Sequence, residues 1–160
     1  MIPGIDPKND IAFKKVYGSE RFGDLTASLI SGLGMSEGIT YETLEHLNIH
    51  LGSGGDGFTI ADTHTGATVL HSGGGSDRVD VLATSGSTTV NAGDDPDTVN
   101  VQTIGAATAV NTGSGEDTIN VGSLSPAGGG ALNAIDALLT IHGDGDSDTF
   151  ATRPVASAGG

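Results

Sequence analysis

The sequence predicts an all-β fold: a right-handed parallel β-solenoid (a β-roll or β-helix) of about five coils, preceded by a short N-terminal helical cap. Three observations carry that expectation. A motif of glycines and one aspartate returns at a near-constant interval, and the residues after each copy alternate apolar and polar. The composition, with 27 glycines, 4% aromatic residues and neither cysteine nor tryptophan, suits stacked β-turns better than a packed helical bundle.

The first segment, residues 1–39, differs in character from the rest of the chain. "MIPGIDPKNDIAFKKVYGSE" holds no copy of the glycine and aspartate motif, and the text changes near Glu20 and Arg21. Ile11, Phe13, Val16 and Tyr17 give this segment apolar side chains to cover the open end of a first coil, which a solenoid needs in order to block edge pairing. A helical cap and linker of different origin is therefore expected over 1–39, and the solenoid over 40–150.

Within the solenoid the repeat is read from its columns. The anchoring aspartates are Asp56, Asp77, Asp97, Asp117 and Asp148, spaced by 21, 20, 20 and 31 residues, and the last step holds the insertion "LSPAGGGALNAIDALL" from Leu124 to Leu139. Four residues before each stand Gly52, Gly73, Gly93, Gly113 and Asp144; two before stand Gly54, Gly75, Asp95, Gly115 and Asp146. Apolar residues occupy the columns seven before (Ile49, Leu70, Val90, Val110, Ile141) and two after (Phe58, Val79, Val99, Ile119, Phe150). Ile60, Val81, Val101 and Val121 extend the alternation, so each turn leads into a strand of period two. A unit with so few apolar residues cannot bury them alone. Stacking the units about 4.8 Å apart does bury them, as ladders of Val and Ile.

The turns carry the candidate chemistry. "TGSGEDTIN" (Thr112 to Asn120) fits the nonapeptide G-G-x-G-x-D-x-U-x at all but its first position, as do "LGSGGDGFT" (Leu51 to Thr59) and "SGGGSDRVD" (Ser72 to Asp80). That pattern belongs to parallel β-rolls that bind Ca²⁺: glycines allow left-handed turns that expose carbonyl oxygens, and the aspartate adds a hard anionic oxygen. The expected ligands are Asp56, Asp77, Asp97 and Asp117, with carbonyls of Gly54, Gly75 and Gly115. "AGDDPDTVN" (Ala92 to Asn100) puts Asp95 where glycine is expected and offers it as a further ligand. The competing reading makes the aspartates turn-formers that bond turn amides without metal, as in Asx-turns. Crowding Asp94, Asp95 and Asp97 near Asp77 and Asp117 favours a counter-ion.

Six residues before the anchors comes a column of His50, His71, Asn91, Asn111 and His142. Two stacked imidazoles could bind a transition metal, but a column that accepts Asn as readily as His reads first as a solvent-facing polar ladder. The serines and threonines recur by period, and no His or Asp is placed uniquely beside one of them, so no catalytic set is read and no enzyme is expected.

The formal net charge is −14, and four of the six basic residues lie in the first 21, leaving the repeats strongly acidic. Such a surface repels nucleic acid phosphates and attracts cations, so calcium ions are expected as partners and nucleic acid is not. No run approaches the roughly 18 apolar residues of a membrane span, so no membrane insertion is expected. The start lacks the basic and then apolar text of a secretory signal. Lacking cysteine, the chain has no disulfide, thiolate zinc site or cysteine nucleophile.

Two resemblances add to this reading. "DPKNDIAFKKVYGSE" (Asp6 to Glu20) resembles the opening of the PD-(D/E)XK nuclease and transposase-like family of recombination-promoting nucleases, which implies an N-terminal helix ahead of a Mg²⁺-dependent core. No lysine occurs after Lys15, so the Glu-x-Lys or Gln-x-Lys of that core is missing and no catalytic residue carries over. Residues 22–150, through "LISGLGMSEGITYETLEHLNIHLGSG" (Leu29 to Gly54), "NTGSGEDTINVGSL" (Asn111 to Leu124) and "NAIDALLTIHGDGDSDT" (Asn133 to Thr149), resemble tandem repeats of large exported bacterial proteins in the style of repeats-in-toxin β-rolls. That resemblance implies an extracellular or cell-surface role in adhesion or as a spacer. Three readings stay open: a calcium-binding structural module, a nuclease-family fragment without its core, and a metal-free scaffold. The end of the chain, "ATRPVASAGG" over 151–160, is expected to be a disordered tail that leaves the last coil exposed to end-to-end self-association.

Overall fold

A computed structural model describes residues 5–6, 10–11, 20–128 and 130–152. Short strands β1 (Ile5–Asp6) and β2 (Asp10–Ile11) pair antiparallel, and β3 (Phe22–Leu25), β4 (Leu29–Gly32) and β5 (Ile39–Thr40) form an antiparallel meander. Five rungs come next, each a strand, a turn and a second strand: β6 (His46–Gly52) with β7 (Gly57–Ile60), β8 (Ala67–Gly74) with β9 (Arg78–Val81), β10 (Thr88–Asp94) with β11 (Thr98–Val101), β12 (Thr108–Ser114) with β13 (Thr118–Val121), and β14 (Leu139–His142) with β15 (Thr149–Thr152). First strands stack in parallel as one sheet, β6-β8-β10-β12-β14; second strands stack as another, β7-β9-β11-β13-β15, which β3 joins beside β7. From first rung to last the chain winds about four turns of a parallel β-solenoid.

Register obeys the repeat. Ile49, Leu70, Val90, Val110 and Ile141 are successive partners across the first sheet, and Phe58, Val79, Val99, Ile119 and Phe150 across the second. The pleat turns alternate residues inward, so that β8 alternates half-buried and buried residues through Ser72. Through the fourth rung the inward columns are at most 3% exposed. Between the sheets also lie Thr68, Thr88 and Thr108, all buried; Thr88 Oγ1 donates to the Gly86 carbonyl (2.9 Å) and Thr108 Oγ1 to that of Ala106 (3.0 Å). Backbones touch at the column of Gly73, Gly93 and Gly113, whose φ angles are 112°, 116° and 91°. A Cβ there would collide with the carbonyl oxygen of the glycine one rung earlier, so only glycine fits.

The N-terminal end departs from the expected helical cap. Among the described residues no helix occurs, and residues 22–40 are strand and turn. The physical reason is local: Gly23, Gly32, Gly34 and Gly38 divide the segment, with positive φ at Gly32 (74°) and Gly34 (79°), too short between breaks for a helix but long enough for paired strands. Leu25, Ile30, Leu33 and Tyr41 close the core there, with the Tyr41 ring edge-on to His64 at 5.8 Å. Of the residues expected to form the helical cover, Ile11 lies in β2, while Phe13, Val16 and Tyr17 lie outside the described residues.

At the other end the insertion leaves the stack after Val121 and rejoins it at Ile135, which bridges to Ile104. Ala151 and Thr152, placed by sequence in the tail, continue β15; residues 153–160 lie outside those described. The fifth rung leaves Phe150 56% and Leu138 71% exposed.

Candidate functional site

The turns joining the two strands of each rung stack along one edge, and there the aspartates form a ladder. Oδ1 of Asp77 accepts the backbone N–H of Asp56 (2.6 Å), Oδ1 of Asp97 that of Asp77 (2.7 Å), and Oδ1 of Asp117 that of Asp97 (2.8 Å). Asp148 receives the Asp117 amide at 3.2 Å, and at the opposite end Asp56 receives the amide of Arg21 at 2.8 Å. Main-chain bonds run alongside: Arg78, Thr98, Thr118 and Thr149 donate their N–H groups to the carbonyls of Asp56, Asp77, Asp97 and Asp117.

A coil that turns a corner leaves an amide with no strand partner, and an unsatisfied buried amide costs about 1–3 kcal/mol. The carboxylate one repeat later supplies the acceptor. This explains why aspartate recurs with the repeat, and it places the bond between coils where an Asx-turn would place it within one.

The ladder is deeply buried: Asp56, Asp77 and Asp97 are 3% exposed and Asp117 1%. Burial pushes the Asp97 carboxyl up to about 7; the neighbouring charges of Asp77, Asp117 and Asp95 push the same way, and the bond from the Asp77 amide opposes them. The second oxygens, Oδ2 of Asp97 and Oδ2 of Asp117, are buried with no hydrogen-bond partner.

The column two residues before the anchors stacks beside the ladder. Gly75 and Gly115 have φ of 94° and 141°, and Asp95 takes the same left-handed region at 76°. Asp tolerates that conformation better than most residues, which answers how this copy does without its glycine. Asp95 Oδ2 then accepts the Gly75 amide (3.0 Å), and Asp146 Oδ2 the Gly115 amide (3.2 Å), repeating the ladder's logic at the rim. Gly54 lies against the backbone of Gly75 in the same column. All eight expected ligand residues therefore share one edge. Among the described residues no three carboxylate or imidazole groups converge on a point.

No family model, curated protein or solved structure matches this chain. Its chemistry is read from the edge itself. Each ladder carboxylate commits Oδ1 to an amide, which leaves Oδ2 of Asp97 and of Asp117 for a proton or a hard cation. Calcium takes about six to eight oxygens, so an ion there would draw much of its shell from main-chain carbonyls and water.

A second polar ladder escaped the sequence reading. Three residues after the anchors, Asn100 Nδ2 donates to Asp80 Oδ1 (2.7 Å) and Asn120 Nδ2 to Asn100 Oδ1 (2.9 Å), while Arg78 forks onto Asp80 with both bonds at 2.9 Å. The signal was present as Asp and Asn at a spacing of 20 in the column between two apolar ones.

Proposed function

We propose that this chain is a structural repeat module, a right-handed β-solenoid spacer of a cell-surface or secreted bacterial protein, that binds Ca²⁺ along its aspartate-bearing edge and is not an enzyme. The observation supporting calcium is the pair of buried, unpartnered oxygens on Asp97 and Asp117. A buried carboxylate oxygen without a donor is costly unless a proton or cation meets it. Ions would sit between neighbouring turns, with Asp56, Asp77, Asp97 and Asp117 as side-chain ligands along the edge, Asp95 at the rim, and carbonyls of Gly54, Gly75 and Gly115. An all-oxygen set suits Ca²⁺ over transition ions. When bound, the ion supplies the positive charge that stacked carboxylates lack. Right-handed winding accords with the strong preference of parallel β crossovers, and the exported setting rests on the resemblance of residues 22–150. End-to-end association through the fifth rung belongs to the same proposal, supported by the exposure of Phe150 and Leu138.

The test is circular dichroism with thermal melting in EDTA and across a Ca²⁺ titration, with Mg²⁺ as control. A Ca²⁺-specific gain in β signal and melting temperature supports the proposal. An unchanged spectrum and melting temperature would leave the second reading, a metal-free scaffold, which is favoured by an Oδ1 ladder that closes on backbone amides without an ion.

A further inference from the structure

On the outer face of the first sheet one column runs through His50, His71, Asn91, Asn111 and His142, in register from strand to strand. Its first two members differ from the rest. The imidazoles of His50 and His71 lie parallel, at an interplanar angle of 0°, with centroids 4.4 Å apart. Beyond them the column is a chain of amides: Asn111 Nδ2 donates to Asn91 Oδ1 (2.8 Å), which leaves Asn91 Nδ2 against His71 Nδ1 (3.3 Å). That direction makes His71 Nδ1 an acceptor, so the ring is neutral and its proton sits on Nε2. Burial lowers the His71 pKa, and the adjacent His50 lowers it further. Two residues along the strands the facing positions are Gly52 and Gly73, without side chains, so one flank of the pair is open to a hydrated ion.

We propose that His50 and His71 form a two-histidine site for a divalent first-row transition ion, with Cu²⁺ bound more tightly than Zn²⁺ or Ni²⁺. Imidazoles on adjacent in-register strands can reach one ion at about 2.0–2.1 Å by turning out of their parallel stack until one nitrogen of each points at it, and water fills the remaining positions. Metal on His71 Nε2 moves the ring proton to Nδ1, and the Asn91 and Asn111 amides turn over to accept it. The net charge of −14 concentrates cations near the surface. Nitrogen ligands separate this site from the carboxylate edge, so it does not depend on the calcium reading.

The tag-free full chain is titrated with CuCl₂ at neutral pH in excess CaCl₂ by calorimetry, and with ZnCl₂ while the imidazole and side-chain amide signals are followed by NMR. One Cu²⁺ per chain is expected, weakened about tenfold or more by His50→Asn or His71→Asn. These variants keep the fold because Asn fills this column in the third and fourth rungs, and unchanged circular dichroism checks it. His142→Asn, in the same column beyond two asparagines, leaves the affinity intact, and Zn²⁺ moves the Asn91 and Asn111 amide signals. Wild-type affinity in a His50→Asn, His71→Asn double variant would overturn the site, as would Zn²⁺ titration without response at those amides.

Discussion

The solenoid turns twice in each rung, and its two edges meet the same need with different chemistry. On one edge buried carboxylates accept the corner amides of the preceding coil. On the other the corner column is Thr63, Thr84 and Ile104: Thr63 Oγ1 accepts the amides of Ser85 (3.1 Å) and Gly86 (3.0 Å), Thr84 Oγ1 lies 3.3 Å from Thr108 Oγ1, and Ile104 is held by main-chain bonds with Ala134 and Asp136. All three corner residues are as buried as the aspartates, at 0–2% exposed. A hydroxyl stays neutral at every pH, whereas a buried carboxylate carries charge that must be neutralised or tolerated. The threonine hydroxyls therefore carry no charge of their own; on that edge the group that responds to pH is His64, whose pKa burial lowers, and on the other it is the aspartate ladder.

The largest effect is expected from breaking one carboxylate rung. Asp97→Ala leaves the Asp77 amide buried without its acceptor and should lower stability by about 2–3 kcal/mol in urea unfolding. Asp97→Asn keeps an oxygen for that amide and should stay within about 1 kcal/mol of the parent. Equal losses in the two variants would mean that the charge, and not the acceptor, holds the coils.

The pH dependence comes next, and its sign is set by the raised pKa. The folded-state value of Asp97, about 7, lies above the unfolded value of about 3.9. Below both values the residue is protonated in both states and favours neither. Between them the folded chain keeps a proton that the unfolded chain has lost, so stability falls as pH rises from about 4 to about 7 and levels off above. In EDTA the melting temperature of the parent relative to Asp97→Asn should fall by several degrees between about pH 5 and about pH 8; His64 and His71, whose pKa values burial lowers, slope the other way in both chains and cancel in that comparison.

On the opposite edge Thr63→Val deletes an acceptor shared by two amides and should cost about 1–2 kcal/mol. The same loss is expected at either pH and with or without Ca²⁺; a loss that varies with pH would erase the contrast between the edges. Smallest is Asp94→Ala, which removes an exposed bond from Ser114 Oγ (2.8 Å) and should change stability by under about 0.5 kcal/mol in the same unfolding assay.

Legibility in the sequence divides along the same line. The stacked rungs, the two sheets and the inward Val and Ile columns are set by period and alternation, because register in a solenoid repeats the sequence repeat. The edge carrying the aspartates was equally readable. Their bonding was not, since spacing alone cannot tell a carboxylate that caps its own turn from one that caps the turn a coil away. Threonine counts among the core-forming residues by composition, but which threonines turn inward did not show in the repeat columns: Thr88 and Thr108 satisfy their hydroxyls on carbonyls two residues back and so enter the core. The meander over residues 22–40, within the segment expected to be cap and linker, was missed because it holds no copy of the repeat, and its glycines divide it into short strands.

The most direct test tracks the ladder by NMR, titrating the side-chain carboxyl carbons together with the backbone amides in EDTA. If each carboxylate holds the amide one coil back, the Asp97 carboxyl should titrate with a midpoint near 7 and the Asp77 amide proton should shift with the same midpoint. An Asp97 carboxyl that titrates near the ordinary value of about 4, with an Asp77 amide that does not respond, would contradict the ladder.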